Sequence, residues 1–323
     1  MTIQTDQATW FADTFNQLTA NVEQAIKGKT NTIRLALTCM LSDGHMLLED
    51  VPGTGKTMLA KSLANTVQGS NSRIQFTPDL LPSDVTGVTI YNQQTGAFDF
   101  HRGPIFANVV LADEINRASP KTQSALLEVM EEARVTVDGV GHETGKPFMV
   151  IATMNPVEQA GTYKLPEAQL DRFLMKTSLG YPDHQVTVEL LADAANTNRS
   201  SGVTPLITGE AVSQMSQLAS TVHTDSSVLE YVSRIAESTR RAPEAALGAS
   251  VRGCLAFVRA AKTWAAANGR TYVIPDDIKS LALPVLGHRV LLTPDAQFSG
   301  VTSEQIIGRI LGEIEPPSEK GAA

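Results

Sequence analysis

His45 to Leu59 reads HMLLEDVPGTGKTML. The short apolar run Met46, Leu47 and Leu48 meets a turn carrying Pro52, Gly53, Thr54 and Gly55, and Lys56, Thr57 and Met58 then open a helical pattern. Strand, glycine loop and helix in that order form the context of a phosphate-binding loop. Glycines without Cβ let backbone N–H groups close on a polyphosphate, and the N-terminus of the helix behind them adds partial positive charge. In such a loop Lys56 reaches the β and γ phosphates, and the Thr57 hydroxyl is a ligand of Mg²⁺. The general pattern G-x-x-x-x-G-K-[ST] begins with glycine where this chain has Asp50, so the match rests on GTGKT and its context. Glycine turns before helices also occur in α/β folds that bind nothing, and the reading depends on the rest of the chain.

The chain has 323 residues, 42% of them hydrophobic, enough for a large core and two domains. A formal net charge of −8 argues against a nucleic-acid backbone as the main ligand, because that affinity comes from clustered Lys and Arg. Cys39 and Cys254 sit in apolar helical surroundings and are expected as buried free thiols, which suits a reducing cytoplasm. No signal-peptide pattern opens the chain and no run of about 18 apolar residues occurs, so neither export nor membrane insertion is expected. The six histidines are scattered, without metal-ligand spacing to another His, Cys or carboxylate.

Apolar positions Phe11, Phe15, Leu18, Val22 and Ile26 predict one amphipathic helix over about 7–27, and a second runs from Thr32 to Leu41. Val88–Tyr91 and Ala97–Phe100 read as a hairpin whose two phenylalanines could be core contacts or exposed tips. Asn108-Val-Val-Leu-Ala-Asp-Glu114 is an apolar strand ending in two carboxylates. Open parallel sheets place ligands at such an edge, and adjacent carboxylates there make sense beside a cation or polar site. In a nucleotide enzyme Asp113 holds Mg²⁺ through water and Glu114 polarises the attacking water; the plainer reading is an acidic cap, with Asn116 or Ser119 starting the next helix. A second hairpin spans 134–145, and Phe148–Thr153 is another buried strand, followed by Asn155, which could cap the next segment or orient a water on the γ-phosphate. In Leu165–Phe173, Leu170 and Phe173 face a core while Arg172 is left on the opposite side, most simply as a surface ion pair. Beyond Tyr181-Pro182-Asp183 helical periodicity takes over: Val212, Met215, Leu218 and Val222 mark one helix, Val228, Val232 and Ile235 another, and Leu255, Val258, Ala261 and Trp264 a third.

The ordered set GTGKT, VVLADE, ATMN, EAQLDRF and GASVR resembles the AAA+ ATPases, and within them the MoxR family, over nearly the full chain. LLEDVPGTGKT, with its Asp50, LLPSDVTG (80–87) and LPEAQLDRF (165–173) are all of the MoxR type. The resemblance implies an α/β fold: a P-loop core with a parallel sheet between helices over 1–182, a smaller all-helical lid over 183–315, and a disordered tail over 316–323. It implies roles as well. Pro52, Gly53, Thr54, Gly55, Lys56, Thr57 and Met58 match Walker A, and Asp113 and Glu114 match Walker B. Asn155 matches sensor 1, Arg172 the arginine finger, and Arg252 sensor 2 at the start of a lid helix, where Val251 replaces the family's usual proline. The hairpins at 88–100 and 134–147 look like the helix-2 insert and the pre-sensor-1 hairpin. ATP and Mg²⁺ are the cofactors implied, the latter on Thr57 and Asp113. The form implied is a ring, a hexamer, with ATP at subunit interfaces.

The function implied is an ATP-driven remodelling chaperone that matures a client protein or complex, by family habit with a von Willebrand factor A partner and sometimes in metal or cofactor insertion. Alternatives are a metal-chelatase-like motor subunit, a nucleotide-gated assembly scaffold that hardly hydrolyses ATP, and a DNA or RNA motor, which the acidic balance disfavours.

Overall fold

The computed structural model describes residues 2–155, 162–192 and 202–317. In chain order these give α1 (Thr5–Glu23), α2 (Thr30–Leu41), β1 (Met46–Glu49), α3 (Lys56–Thr66), β2 (Asn71–Gln75), α4 (Pro82–Thr86), β3 (Gly87–Asn92), β4 (Ala97–Arg102), β5 (Val109–Asp113) and α5 (Pro120–Glu132). There follow β6 (Arg134–Val137), β7 (Val140–Glu143), β8 (Met149–Met154), α6 (Glu167–Leu170), β9 (Met175–Thr177) and α7 (His184–Ala192). The remainder comprises α8 (Gly209–Ser220), α9 (Ser226–Arg241), β10 (Ala245–Leu247), α10 (Val251–Ala267), α11 (Pro275–Leu286), β11 (Leu291–Leu292), α12 (Pro294–Phe298) and α13 (Ser303–Glu313). The expected disordered tail lies, from residue 318 on, outside the described residues, as does Pro156.

Two compact units form, and they interleave along the chain. One, an α/β unit, takes Gln17–Arg172 and Thr177–Gln214; the other takes the residues up to Asn16, Phe173–Lys176 and those from Met215 onward. Contacts made by the segment after Tyr181 explain why no single cut near residue 182 separates them. Val186 of α7 lies so close to Gly28 that a Cβ there would meet its Cγ2 at 3.0 Å, Lys27 pairs with Glu189, and Asn21 donates to the Thr204 carbonyl.

In the α/β unit a five-stranded sheet runs in the order β2-β5-β8-β1-β9. The pairs β2/β5, β5/β8 and β1/β8 are parallel, and β5 and nearly all of β1 and β8 are buried, as the uninterrupted apolar runs require of strands covered on both faces. The parallel register aligns the strand ends: Ala112 lies opposite Ala152, and Glu49 opposite Met154. His45 is a satisfied core residue. Its Nδ1 accepts from the Val150 N–H at 3.0 Å, which leaves Nε2 to donate to the Met130 carbonyl at 2.8 Å and fixes a neutral tautomer. The β3–β4 hairpin answers the question of its phenylalanines differently for each. Phe98 is 72% exposed against Tyr91, while Phe100 stacks on His142 of the second hairpin at 4.1 Å and meets Phe106.

The other unit is mainly helical, with α9, α10, α11 and α13 burying Tyr231, Phe257, Leu281 and Ile307. A short antiparallel pair, β10 with β11, accompanies the helices and carries no periodic signal because each strand is so short. Three apolar assignments shift. Leu255 is exposed and Val258 and Trp264 are half-buried, since α10 buries the face that carries Gly253, Ala256, Phe257, Ala260 and Ala261, and this also leaves Cys254 half-buried where a buried thiol is expected. Arg289, almost fully buried, donates to the carbonyls of Phe173 and Leu174 at 2.7 and 3.2 Å.

Candidate nucleotide site

The loop after β1 has the shape its glycines predict. Gly53 and Gly55 take φ of +84° and +98°, a left-handed region that any Cβ makes costly, and Gly55 is the N-cap of α3. Lys56 Nζ curls over the loop and donates to the carbonyls of Val51 at 2.9 Å and Asp50 at 3.3 Å, and Thr54 Oγ1 donates to Val51 at 3.4 Å. Pro52 and Gly53 are exposed; Thr54 through Met58 are half-buried. Asp50, standing where the strict motif has glycine, is buried and structural. One of its oxygens accepts the Val51 N–H at 3.0 Å, and the other accepts those of Leu179 and Gly180 at 2.7 and 2.9 Å.

The end of β5 lies on the same sheet edge as this loop's origin, with β8 between the two strands. Asp113 is buried, and its Oδ1 accepts the Thr153 hydroxyl at 2.6 Å. Thr153 is one residue from the end of β8, and its oxygen in turn accepts the Glu114 N–H at 2.9 Å. Glu114 itself adopts φ +58°, left-handed for a residue with a side chain, a strain of about 1 to 3 kcal/mol that turns the chain sharply off the strand. Its carboxylate accepts from Gln75 at 2.9 Å and from Arg117 at 3.0 Å. Helix α5 begins beyond it, capped by Ser119, so the capping role belongs to Ser119 and the two carboxylates are left for other duties. Asn155 follows β8, is buried, and is joined to the loop's side of the sheet by the Asp50 N–H donating to the Met154 carbonyl at 3.0 Å.

Lys56, Thr57, Asp113, Glu114 and Asn155 thus lie on the carboxyl ends of three adjacent parallel strands or on the loop and helix that follow, the edge where such sheets bind ligands. Arg172 belongs to the same unit, and the carboxylate it pairs with is Glu131. Arg172 lies past the end of α6 rather than on a helix face, partly buried, with Nη2 2.9 Å from Glu131 and no hydrogen-bond partner on Nε. Arg252 lies in the other unit, exposed in the first turn of α10, which starts at Val251 behind the Ser250 cap despite the missing proline. Arg73, Gln75 and Thr153 escape the sequence reading. The first two alternate about Ile74 on a short strand, a signal that polar side chains share one face but not that the face meets Asp113 and Glu114.

The oxygen donors fit a magnesium ion. Among the described residues no group of three or more His, Cys, Asp and Glu could hold a metal alone, and Mg²⁺ is commonly carried by one carboxylate, a hydroxyl and the nucleotide's own phosphates. Asp113 and Thr57 are of that kind.

Comparison with known proteins agrees with this geometry. The family model "ATPase family associated with various cellular activities (AAA)" matches residues 45–175, and the model of the AAA lid domain matches 237–310. The uncharacterized protein YeaC of Bacillus subtilis is 47% identical over 94% of each chain. A protein named Chaperone MoxR1, from Mycobacterium tuberculosis, is 40% identical over 92% of this chain and 80% of its own. A crystal structure from Cytophaga hutchinsonii, provisionally described as an ATPase, superposes with a TM-score of 0.90 at 38% identity, covering 97% of this chain and 98% of that one. With a phosphate loop, paired carboxylates and matching relatives along its length, the chain belongs to the MoxR family of AAA+ ATPases.

Proposed function

We propose that this ATPase works as a ring, a hexamer in the cytoplasm, whose ATP cycle remodels or activates a client protein or complex in the manner of a chaperone. The observation that carries the reading is the convergence of Lys56, Asp113, Glu114 and Asn155 on neighbouring strand ends. Phosphoryl transfer is mostly positioning and charge stabilisation, and each residue has a duty there. The Walker A segment from Pro52 to Met58 cradles the phosphates with its N–H groups, and Lys56 leaves its carbonyls to meet their charge. Thr57 and Asp113 would hold Mg²⁺, which would supply positive charge against the phosphates. Glu114 takes the proton of a water that Asn155 holds in line. Arg252 reports the γ-phosphate to the helical unit, and Arg172 serves a neighbour's nucleotide, released from an ion pair exposed enough to cost little to break. The stacked pair Phe100 and His142 supports the reading of the two hairpins as one lever acting on a client. A von Willebrand factor A domain protein is the partner we favour, and a metal-chelatase-like motor subunit is the nearest alternative. No helix of the described residues is long and apolar enough to cross a membrane.

ATP turnover and nucleotide binding of the wild type and Glu114→Gln test the reading. A motor loses turnover in the variant and keeps binding. A nucleotide-gated scaffold gives the same negligible rate for both.

A further inference from the structure

Strands β2 and β5 run parallel with Arg73 opposite Leu111 and Gln75 opposite Asp113. Side chains alternate along a strand, so Arg73 and Gln75 leave the same face two residues apart. From that face Arg73 donates to Asp113 Oδ2 through Nη2 at 2.6 Å and Nε at 3.2 Å, and Nη2 also donates to Gln75 Oε1 at 2.9 Å. The two side chains differ in their access to water: that of Arg73 is 52% exposed and that of Asp113 12%. Asp113 Oδ1, by contrast, accepts from the neutral hydroxyl of Thr153.

These contacts have an electrostatic consequence. A carboxylate withdrawn from water on the same sheet edge as a phosphate loop repels an incoming polyphosphate unless a cation stands with it. With Arg73 in place, nucleotide arriving without its metal meets a neutral pair; without Arg73 it meets a bare negative charge. A metal ion brought with the nucleotide has to share Asp113 with the guanidinium, whose exposed stem lets it fall back on Gln75 and solvent. We propose that Arg73 is a tethered cation that neutralises Asp113 ahead of the metal, and so sets how strongly nucleotide binding at this site depends on magnesium. The proposal rests on the reading of Asp113 as the carboxylate that faces the metal. Arg73 acts through Asp113 and is a positioning residue.

A pair that merely staples β2 to β5 predicts something different: its loss weakens nucleotide binding equally with and without the metal. The test is the affinity of the full chain for a fluorescent ADP analogue, titrated in EDTA and in saturating magnesium chloride, together with the magnesium midpoint at fixed nucleotide. Arg73→Gln is expected to weaken binding in EDTA by about 5- to 10-fold, to leave binding in magnesium within about 2-fold, and to lower the magnesium midpoint. Arg73→Lys keeps the charge and is expected to stay near the wild type. Adding Asp113→Asn to Arg73→Gln removes the bare charge and restores metal-free binding. Should Arg73→Gln fail to fold, Arg73→Met keeps the apolar stem and is expected to behave alike. Equal weakening in both conditions, or no change in either, overturns the proposal. Asp113→Asn alone separates the two levels. A magnesium midpoint indifferent to it sinks the Asp113 reading itself, and a midpoint that moves with Asp113→Asn but not with Arg73→Gln sinks only the role of Arg73.

Discussion

Asp50 Oδ2 accepts the Gly180 N–H at 2.9 Å, with the Leu179 N–H on the same oxygen at 2.7 Å, so the first residue of the phosphate loop is fastened to the chain leaving the edge of the sheet. Two N–H groups on one buried carboxylate are charge-assisted bonds, and removing it leaves both donors without their acceptor. Asp50→Gly, which makes the loop match the strict motif, is therefore expected to destabilise the protein by about 2 to 4 kcal/mol and to weaken nucleotide binding. Asp50→Asn, which keeps one acceptor oxygen, is expected to cost about half of that. Denaturant unfolding and nucleotide titration check both.

Thr153 holds the two carboxylate-bearing residues together, donating to Asp113 and accepting from the Glu114 backbone. Thr153→Val keeps the shape of the buried side chain and removes both bonds. The left-handed turn at Glu114 then loses its anchor, and turnover is expected to fall by about 10- to 100-fold, corresponding to about 1 to 3 kcal/mol of lost positioning. Nucleotide affinity, which depends on the loop after β1, is expected to stay within about 3-fold. Steady-state turnover beside equilibrium binding separates the two.

In the helical unit Arg309 of α13 grips Glu244 with two bonds of 2.7 Å, and this hydrogen-bonded guanidinium pulls the Glu244 carboxyl down from its ordinary 4.5 to about 2. Because the folded value lies below the unfolded one, the pair's stabilisation is fully present above about pH 4.5 and disappears as pH falls through about 2. The contact is open to solvent, so the effect is modest and weakens with salt. The stability gap between wild type and Glu244→Gln is expected to be constant from pH 5 to 7 and to close on going from pH 4.5 toward 2, as followed by chemical denaturation at each pH.

Much of the site was legible because the phosphate loop and the strand ends are local patterns: glycines at fixed offsets, and apolar runs that stop at Asp113 and Asn155. Burial on both faces makes those runs unmistakable, and parallel pairing then brings their ends together without further information. What stayed hidden depends on contacts between distant segments. Asp50 looks like a defect in the motif until Leu179 and Gly180 close on it, and Arg73 looks like a polar strand residue until β2 is placed beside β5. Arg172 read as a helix-face residue because LPEAQLDRF has helical spacing, but α6 ends at Leu170 and Glu131 of α5 supplies the partner. The face of α10 differs for a similar reason: Leu255, Val258, Ala261 and Trp264 mark one side, whereas the buried side is centred on Phe257 among alanines and Gly253 and shares only Ala261 with it.

The central claim is that each nucleotide is hydrolysed by Glu114 of one subunit with Arg172 of the next. It is tested most directly by mixing Glu114→Gln protein with Arg172→Ala protein, each inactive alone, and measuring ATP turnover. The account predicts recovery to as much as about a quarter of the wild-type rate at equal amounts, since in a ring of mixed subunits that share of interfaces pairs an intact Glu114 with a neighbour's intact Arg172. A mixture as inactive as its components, or an Arg172→Ala protein that turns over ATP at the wild-type rate by itself, would contradict it.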